Sequence, residues 1–193
     1  MMISEALIIN TNALKTALTT NLQASYKLFW FKSILICLNE RANYYSFKKL
    51  ICSMIGEAWK YVDKEEFQFP RADQLPVIVQ VIRERYPEVS ADNITKFVDK
   101  LEDKELLKRI DNLGAEVPYR FLTAFFEKEL FGIPDKQKRQ RIKELAQNSC
   151  SAVYGFWNGK YICVNMRWHR YLSYNRAPLM HCVDELIYKK LQQ

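Results

Sequence analysis

His169 and His181 stand six residues to either side of Asn175, within a stretch that also carries Cys163 and Cys182. One histidine as general base and another as metal ligand could cut a phosphodiester if the fold brought them to one site. Here the β signal comes before His169, and Pro178 intrudes between Asn175 and His181. The spacing therefore predicts His169 on a basic helix face beside Trp168 and Arg170, and His181 inside a packed helix. Cys163, His169 and Cys182 are zinc-type donors, but they have no obvious fourth ligand and no compact spacing. His181 and Cys182 are adjacent, and helical neighbours point about 100° apart, which prevents direct activation of the thiol. No phosphate-cradling glycine loop and no G-x-S-x-G elbow is present. Asp99, Glu102, Asp103 and Glu105 alternate with Lys100 and Lys104 and are expected to form a solvated helix face. No catalytic residue, metal ligand or cofactor site is assigned in this chain.

Basic residues make the stronger case for binding. In KQKRQRIK, Lys136, Lys138, Arg139, Arg141 and Lys143 cover much of one helix surface. Arg167, Arg170 and Arg176 lie beside Trp168 and Tyr171. Such residues suit phosphate contact, with aromatic stacking at the second cluster. The alternative is a solvated helix with its aromatics buried and its arginines incidental. The charge is unevenly spread: +4 over residues 1–62, −3 over 63–113 and +6 over 114–193. An acidic middle between basic flanks fits one face turned to an anionic partner, most simply nucleic acid. Lys27 and Arg120 are expected to act structurally, with stems on apolar surface and heads paired to a carboxylate or a carbonyl.

The 193 residues, 49% of them hydrophobic, suffice for one domain with a substantial core. Five glycines and six prolines exclude a collagen-like or Gly/Pro-rich disordered chain. The start, MMISEALIIN, has no Lys or Arg and is not a secretory signal. No apolar run is long enough to span a membrane. Cys37, Cys52, Cys150, Cys163 and Cys182 are odd in number and lack C-x-x-C spacing, which points to buried reduced thiols in a cytoplasmic protein.

Hydrophobic periodicity predicts a mainly α fold, a helical domain with one β-hairpin packed near the C-terminal helices. A weak helix covers 5–18. A second, from Asn21 to Glu40, is apolar nearly all round and belongs in the middle of a core. Ser46 caps a third, in which Phe47, Leu50, Ile51, Met54, Ile55, Ala58, Trp59 and Val62 keep one face. Helices follow over 73–86 and from Ser90 to a stop at Gly114. Residues 117–126 are expected to be an extended lead into a short helix or buried turn. Asp135 is expected to cap a helix over 136–147. AVYGFW-NG-KYICVN is a hairpin with a type I′ turn at Asn158-Gly159. A last helical region, 166–192, is broken or kinked at Pro178. The charged segment 132–136 is the candidate boundary between a helical core, 1–131, and a basic helix, hairpin and C-terminal helices, 132–193. A single domain over 1–193 is the alternative.

SYKLFWFKSIL at 25–35 followed by MIGEAWKYV at 54–62, VPYRFL at 117–122, and Trp168, Tyr171 and Asn175 in W-x-x-Y-x-x-x-N resemble, in order, segments of the N-terminal region of bacterial HNH endonuclease domain proteins. DELIYKKLQQ is similar to the helix that in this family runs on into the nuclease half. The resemblance implies a DNA-holding role beside a nuclease segment beyond Gln193, in restriction or in defence against phage and mobile elements. It places no family catalytic residue within this chain, and any divalent metal belongs to that further segment. The expected partner is DNA, or else a protein or the chain's own nuclease segment. The other reading is a protein–protein adaptor without a nucleic-acid function; a small-molecule enzyme would need a deep apolar pocket.

Overall fold

Helix α2 (Tyr26–Cys37) is the axis of the structure because its sequence leaves almost no polar face. Leu28, Phe29, Trp30, Phe31, Ile34 and Leu35 are all fully buried, as expected of a helix surrounded by others. The computed structural model describes residues 9–20, 24–39 and 41–192. The expected ends of this helix, Asn21 and Glu40, and residues 5–8 of the first expected helix, fall outside them. Among the described residues are nine α-helices and a three-stranded antiparallel sheet, so the mainly α reading holds. No helix among the described residues is long and apolar enough to cross a membrane.

Helix α1 (Thr11–Thr19) is capped by Asn10, whose side chain accepts from the Ala13 amide at 3.0 Å. Strand β1 (Tyr44–Ser46) leads directly into α3 (Phe47–Ala58), where Ser46 caps as expected by accepting from the Lys49 amide at 3.2 Å. Leu50, Ile51, Met54, Ile55 and Ala58 of α3 are buried, whereas Trp59 and Val62 lie past the end of the helix. Helix α4 (Leu75–Arg85) carries Pro76 in its first turn, where the missing amide costs nothing. Asp73 joins α4 to α2. It accepts from the amide and the hydroxyl of Ser25 at 2.7 and 2.5 Å and from the Leu75 amide at 3.1 Å.

The expected helix from Ser90 to Gly114 is two helices, α5 (Ile94–Lys100) and α6 (Lys104–Leu122). The chain turns at Leu101–Asp103, and Asp103 caps α6 by accepting from the amides of Glu105 and Leu106. Gly114 does not stop α6, and 117–122 is helical rather than extended. Gly114 is instead a contact point: a Cβ there would stand 2.8 Å from Cδ1 of Ile51. Pro118 is tolerated within α6 although it cannot donate to the carbonyl four residues back, which is that of Gly114. A 3-10 turn, Thr123–Phe125, follows.

Helix α7 (Asp135–Gln147) begins at Asp135 itself, with Pro134 in the cap position; the Asp135 carboxylate accepts from Lys138 rather than capping. The hairpin is as expected. Strands β2 (Tyr154–Trp157) and β3 (Tyr161–Val164) are joined by Asn158 and Gly159, both at positive φ (50° and 65°). The third strand was missed by the sequence reading: β1 pairs with β3 (Tyr44 opposite Cys163), giving the order β1-β3-β2. The sheet thus takes strands from both sides of the 132–136 segment. Helices α8 (Met166–Tyr174) and α9 (Arg176–Leu191) break at Asn175, three residues before Pro178, which sits harmlessly in the first turn of α9.

Helix and sheet are stitched together by a buried relay. Trp30 Nε1 donates to the Tyr154 hydroxyl at 2.8 Å, and Tyr154 donates to the Pro118 carbonyl at 2.7 Å. The relay spans α2, β2 and α6, and burial pushes the Tyr154 phenol well above its ordinary range. On another side of α2, Lys32 is held by Glu57 at 2.6 Å and Asp184 at 2.5 Å, fixing α3 and α9 against it.

Candidate nucleic-acid interface

Helix α7 buries only Ile142 and Ala146 and leaves most of its circumference to solvent. Its docking is close because residue 155 is glycine: a Cβ there would stand 3.1 Å from the Ala146 carbonyl oxygen. Lys136, Arg139 and Lys143 recur at i, i+3 and i+7 and so form one stripe. Lys136 and Arg139 are exposed and Lys143 half-buried. The other two expected contacts are partly neutralised on their own helix. Lys138 pairs with Asp135 at 2.8 Å and Arg141 with Glu144 at 3.4 Å. Arg139 lies over the Tyr119 ring, its guanidinium carbon 4.8 Å from the centroid.

The second basic cluster divides differently from the sequence reading. On α8, Trp168 is fully buried and donates through Nε1 to the Ser151 carbonyl at 2.8 Å, so it offers no stacking face. Arg167, Arg170 and Tyr174 form the opposite stripe, and Tyr174 is 90% exposed. The available aromatic is therefore Tyr174; the i, i+3, i+7 spacing of 167, 170 and 174 was the signal for it. Arg176 is a structural tie: its Nη2 donates to the Ile36 carbonyl at 3.0 Å and links the start of α9 to the end of α2.

His169 and His181 exchange the roles expected for them. His169 is buried, and its Nε2 is 3.0 Å from the Asn39 carbonyl oxygen. A carbonyl only accepts, so Nε2 carries the proton and donates. His181 is exposed and stands 3.4 Å from Glu185. Asn175 donates to the Tyr171 carbonyl at 2.9 Å. Among the described residues, no three His, Cys, Asp or Glu side chains form a group able to hold a metal. Cys37 and Cys52 are buried as expected, and burial pushes the Cys52 thiol up to about 11. Cys150 and Cys182 are exposed, correcting the expectation that all five thiols are buried. The acids of 99–105 do not share one helix face. Asp99 pairs with Lys48, Asp103 with Arg85 and Glu105 with Arg109.

A cleft of about 310 Å³ opens where α2, α6 and the first half of α7 meet. Four cations line it: Lys27, Arg120, Lys138 and Arg139, with Tyr26 and Tyr119 between them. Arg120 pairs with Glu116 at 3.0 Å as expected, but its side chain is about half exposed, so the expected packed stem is not seen. Lys27 departs from its expected structural role. It is only 8% exposed, and among the described residues it pairs with no carboxylate and donates to no carbonyl. Burial first, and the neighbouring Arg120 second, hold its ammonium below the ordinary lysine range.

A sheet face also presents apolar surface. Tyr44 and Trp157 are each about half exposed, their rings 5.6 Å apart, and Trp157 continues to Tyr161 at 5.6 Å.

Set against protein-family models, curated proteins and solved structures, the chain matches none.

Proposed function

We propose that this chain is a non-catalytic DNA-holding domain of an HNH-endonuclease-like protein, and that α7 is the element that meets the phosphate backbone. The observation carrying this reading is the stripe Lys136–Arg139–Lys143 on a helix that commits only Ile142 and Ala146 to the core. A helix that shows this many exposed cations gains favourable contact and counterion release from an anionic partner. Arg167, Arg170 and Tyr174 supply a second patch of the same character on α8. The order of the aromatic segments, from Ser25 to Asn175, supports the nuclease resemblance and with it a role in restriction or defence. Cleavage belongs to a nuclease segment outside this chain.

Incubation of plasmid DNA with the purified chain and a divalent metal tests the non-catalytic half: intact plasmid is expected, and metal-dependent cutting contradicts it. Fluorescence anisotropy with a random-sequence duplex tests the binding half. Reversing Arg139 and Arg141 to Glu is expected to weaken binding, and unchanged binding contradicts the assignment to α7.

The adaptor reading keeps one observation of its own, the exposed Tyr44–Trp157–Tyr161 cluster. Aromatics of this kind are enriched where proteins dock on one another. Absent or salt-independent DNA binding favours it.

A further inference from the structure

We infer that the cleft between α2, α6 and α7 is a binding site for a phosphomonoester dianion, carried either by the 5′ end of a nucleic-acid strand or by a free nucleotide. Three observations support it. The first is Lys27: a side chain 8% exposed that lines the cavity and makes no ion pair or hydrogen bond with another described residue. Burial already disfavours its charged form, and a partly desolvated ammonium without a partner gains from a counter-charge. The second is the balance of charge around it. Glu116 is engaged by Arg120 and Asp135 by Lys138. Lys27 and Arg139 remain unneutralised, and two uncompensated positive charges match a group carrying two negative ones. Arg120, which also lines the cleft, uses only its Nε for Glu116, so its terminal nitrogens remain uncommitted donors.

The third is size and lining. The cavity, about 310 Å³, is larger than a phosphate needs and lies at the low end of the range for small-molecule sites. The surplus fits the sugar that bears the phosphate. Tyr26 and Tyr119 provide phenol rings at its wall, and Tyr119 is itself fixed by stacking on Phe156 at 4.4 Å. A phosphodiester inside a duplex is a monoanion and offers half the charge that Lys27 and Arg139 leave unmatched; the terminal phosphate of a strand end or a nucleotide offers both.

The site adjoins the α7 surface and shares Arg139 and Lys138 with it, but the inference does not need duplex binding to be correct. A short single-stranded oligonucleotide with a 5′-phosphate, its 5′-hydroxyl twin and a free nucleoside 5′-monophosphate are the probes, each titrated against the full chain. The phosphorylated strand is expected to bind at least about tenfold tighter than its twin, the gain of one charge-assisted contact set. Lys27→Met and Arg120→Met should each erase most of that difference. Lys27→Met removes an unpartnered ammonium and keeps an apolar stem, so it should melt no lower than the wild type; Arg120 is exposed and its variant serves should Lys27→Met fail to fold. If the free monophosphate binds and the strand end gives no advantage, the dianion site stands and its source is a nucleotide. If neither probe discriminates, or if both variants bind as the wild type does, the inference is overturned. Duplex binding that persists in that case leaves the α7 reading intact.

Discussion

Tyr154 shows how much a single hydroxyl can carry. It accepts from Trp30 and donates to the Pro118 carbonyl, both within a fully buried setting. Tyr154→Phe leaves the indole N–H without its acceptor, while the Pro118 carbonyl, inside α6, loses only its second donor; an orphaned buried group costs about 1–3 kcal/mol. A loss of about 1–3 kcal/mol in urea unfolding is expected; a change within error would mean the relay is dispensable. Lys32 is a second case. Burial alone would lower its pKa, but the carboxylates of Asp184 and Glu57 outweigh burial and raise it. Glu57 is pulled the other way: burial raises its pKa, and Lys32 and Lys60 bring it below the ordinary 4.5. A carboxylate with a depressed folded pKa contributes stability that is present above its unfolded value and lost as the pH falls through the folded one. Unfolding midpoints should therefore drop below about pH 4.5 more steeply for the wild type than for Glu57→Gln. Lys32→Met should cost about 2–3 kcal/mol at neutral pH, at or below the low end for breaking a buried pair because Asp184 is partly exposed.

At the scale of elements, the hairpin is the sharpest test of local chemistry. Gly159 has φ of +65° with nothing within 4 Å of a would-be Cβ, so Gly159→Ala isolates the backbone penalty. About 1 kcal/mol of destabilisation is expected from thermal melts; none would mean that the turn does not hold the strand register. This hairpin was legible because Asn-Gly between β-rich runs admits few other structures. Helix α3 was legible through its unbroken apolar face, and α2 through having no polar one. Helix α6 was not. Gly114 and Pro118 read locally as a stop and an extended segment, but packing on Ile51 gives the glycine a reason to be inside a helix, and burial of Val117, Pro118, Phe121 and Leu122 outweighs the missing ladder bond. Strand β1 was hidden because three residues carry no periodicity; only β3, more than a hundred residues later, makes them a strand. The same limit applied to the cleft. Lys27 and Arg120 were read as structural because nothing in the sequence places α7 across from both. The candidate stripe on α7 was legible, since charge at helical spacing needs no tertiary information, whereas the burial of Trp168 and the tie of Arg176 to Ile36 needed the fold.

For the whole molecule, the distribution of charge is the property that the functional account rests on. The net charge is +7, and its C-terminal excess is displayed on α7 and α8, which turn their basic stripes outward. Each phosphate neutralised by a duplex-binding surface releases counterions and contributes about −0.9 to the slope of log affinity against log salt. The direct test is that slope, taken between about 50 and 200 mM salt for the wild type and for the double variant Lys136→Glu/Lys143→Glu. The account predicts a steep negative slope for the wild type, made shallower by about two in the variant. Duplex binding that ignores salt, or a slope the double variant leaves unchanged, would contradict it.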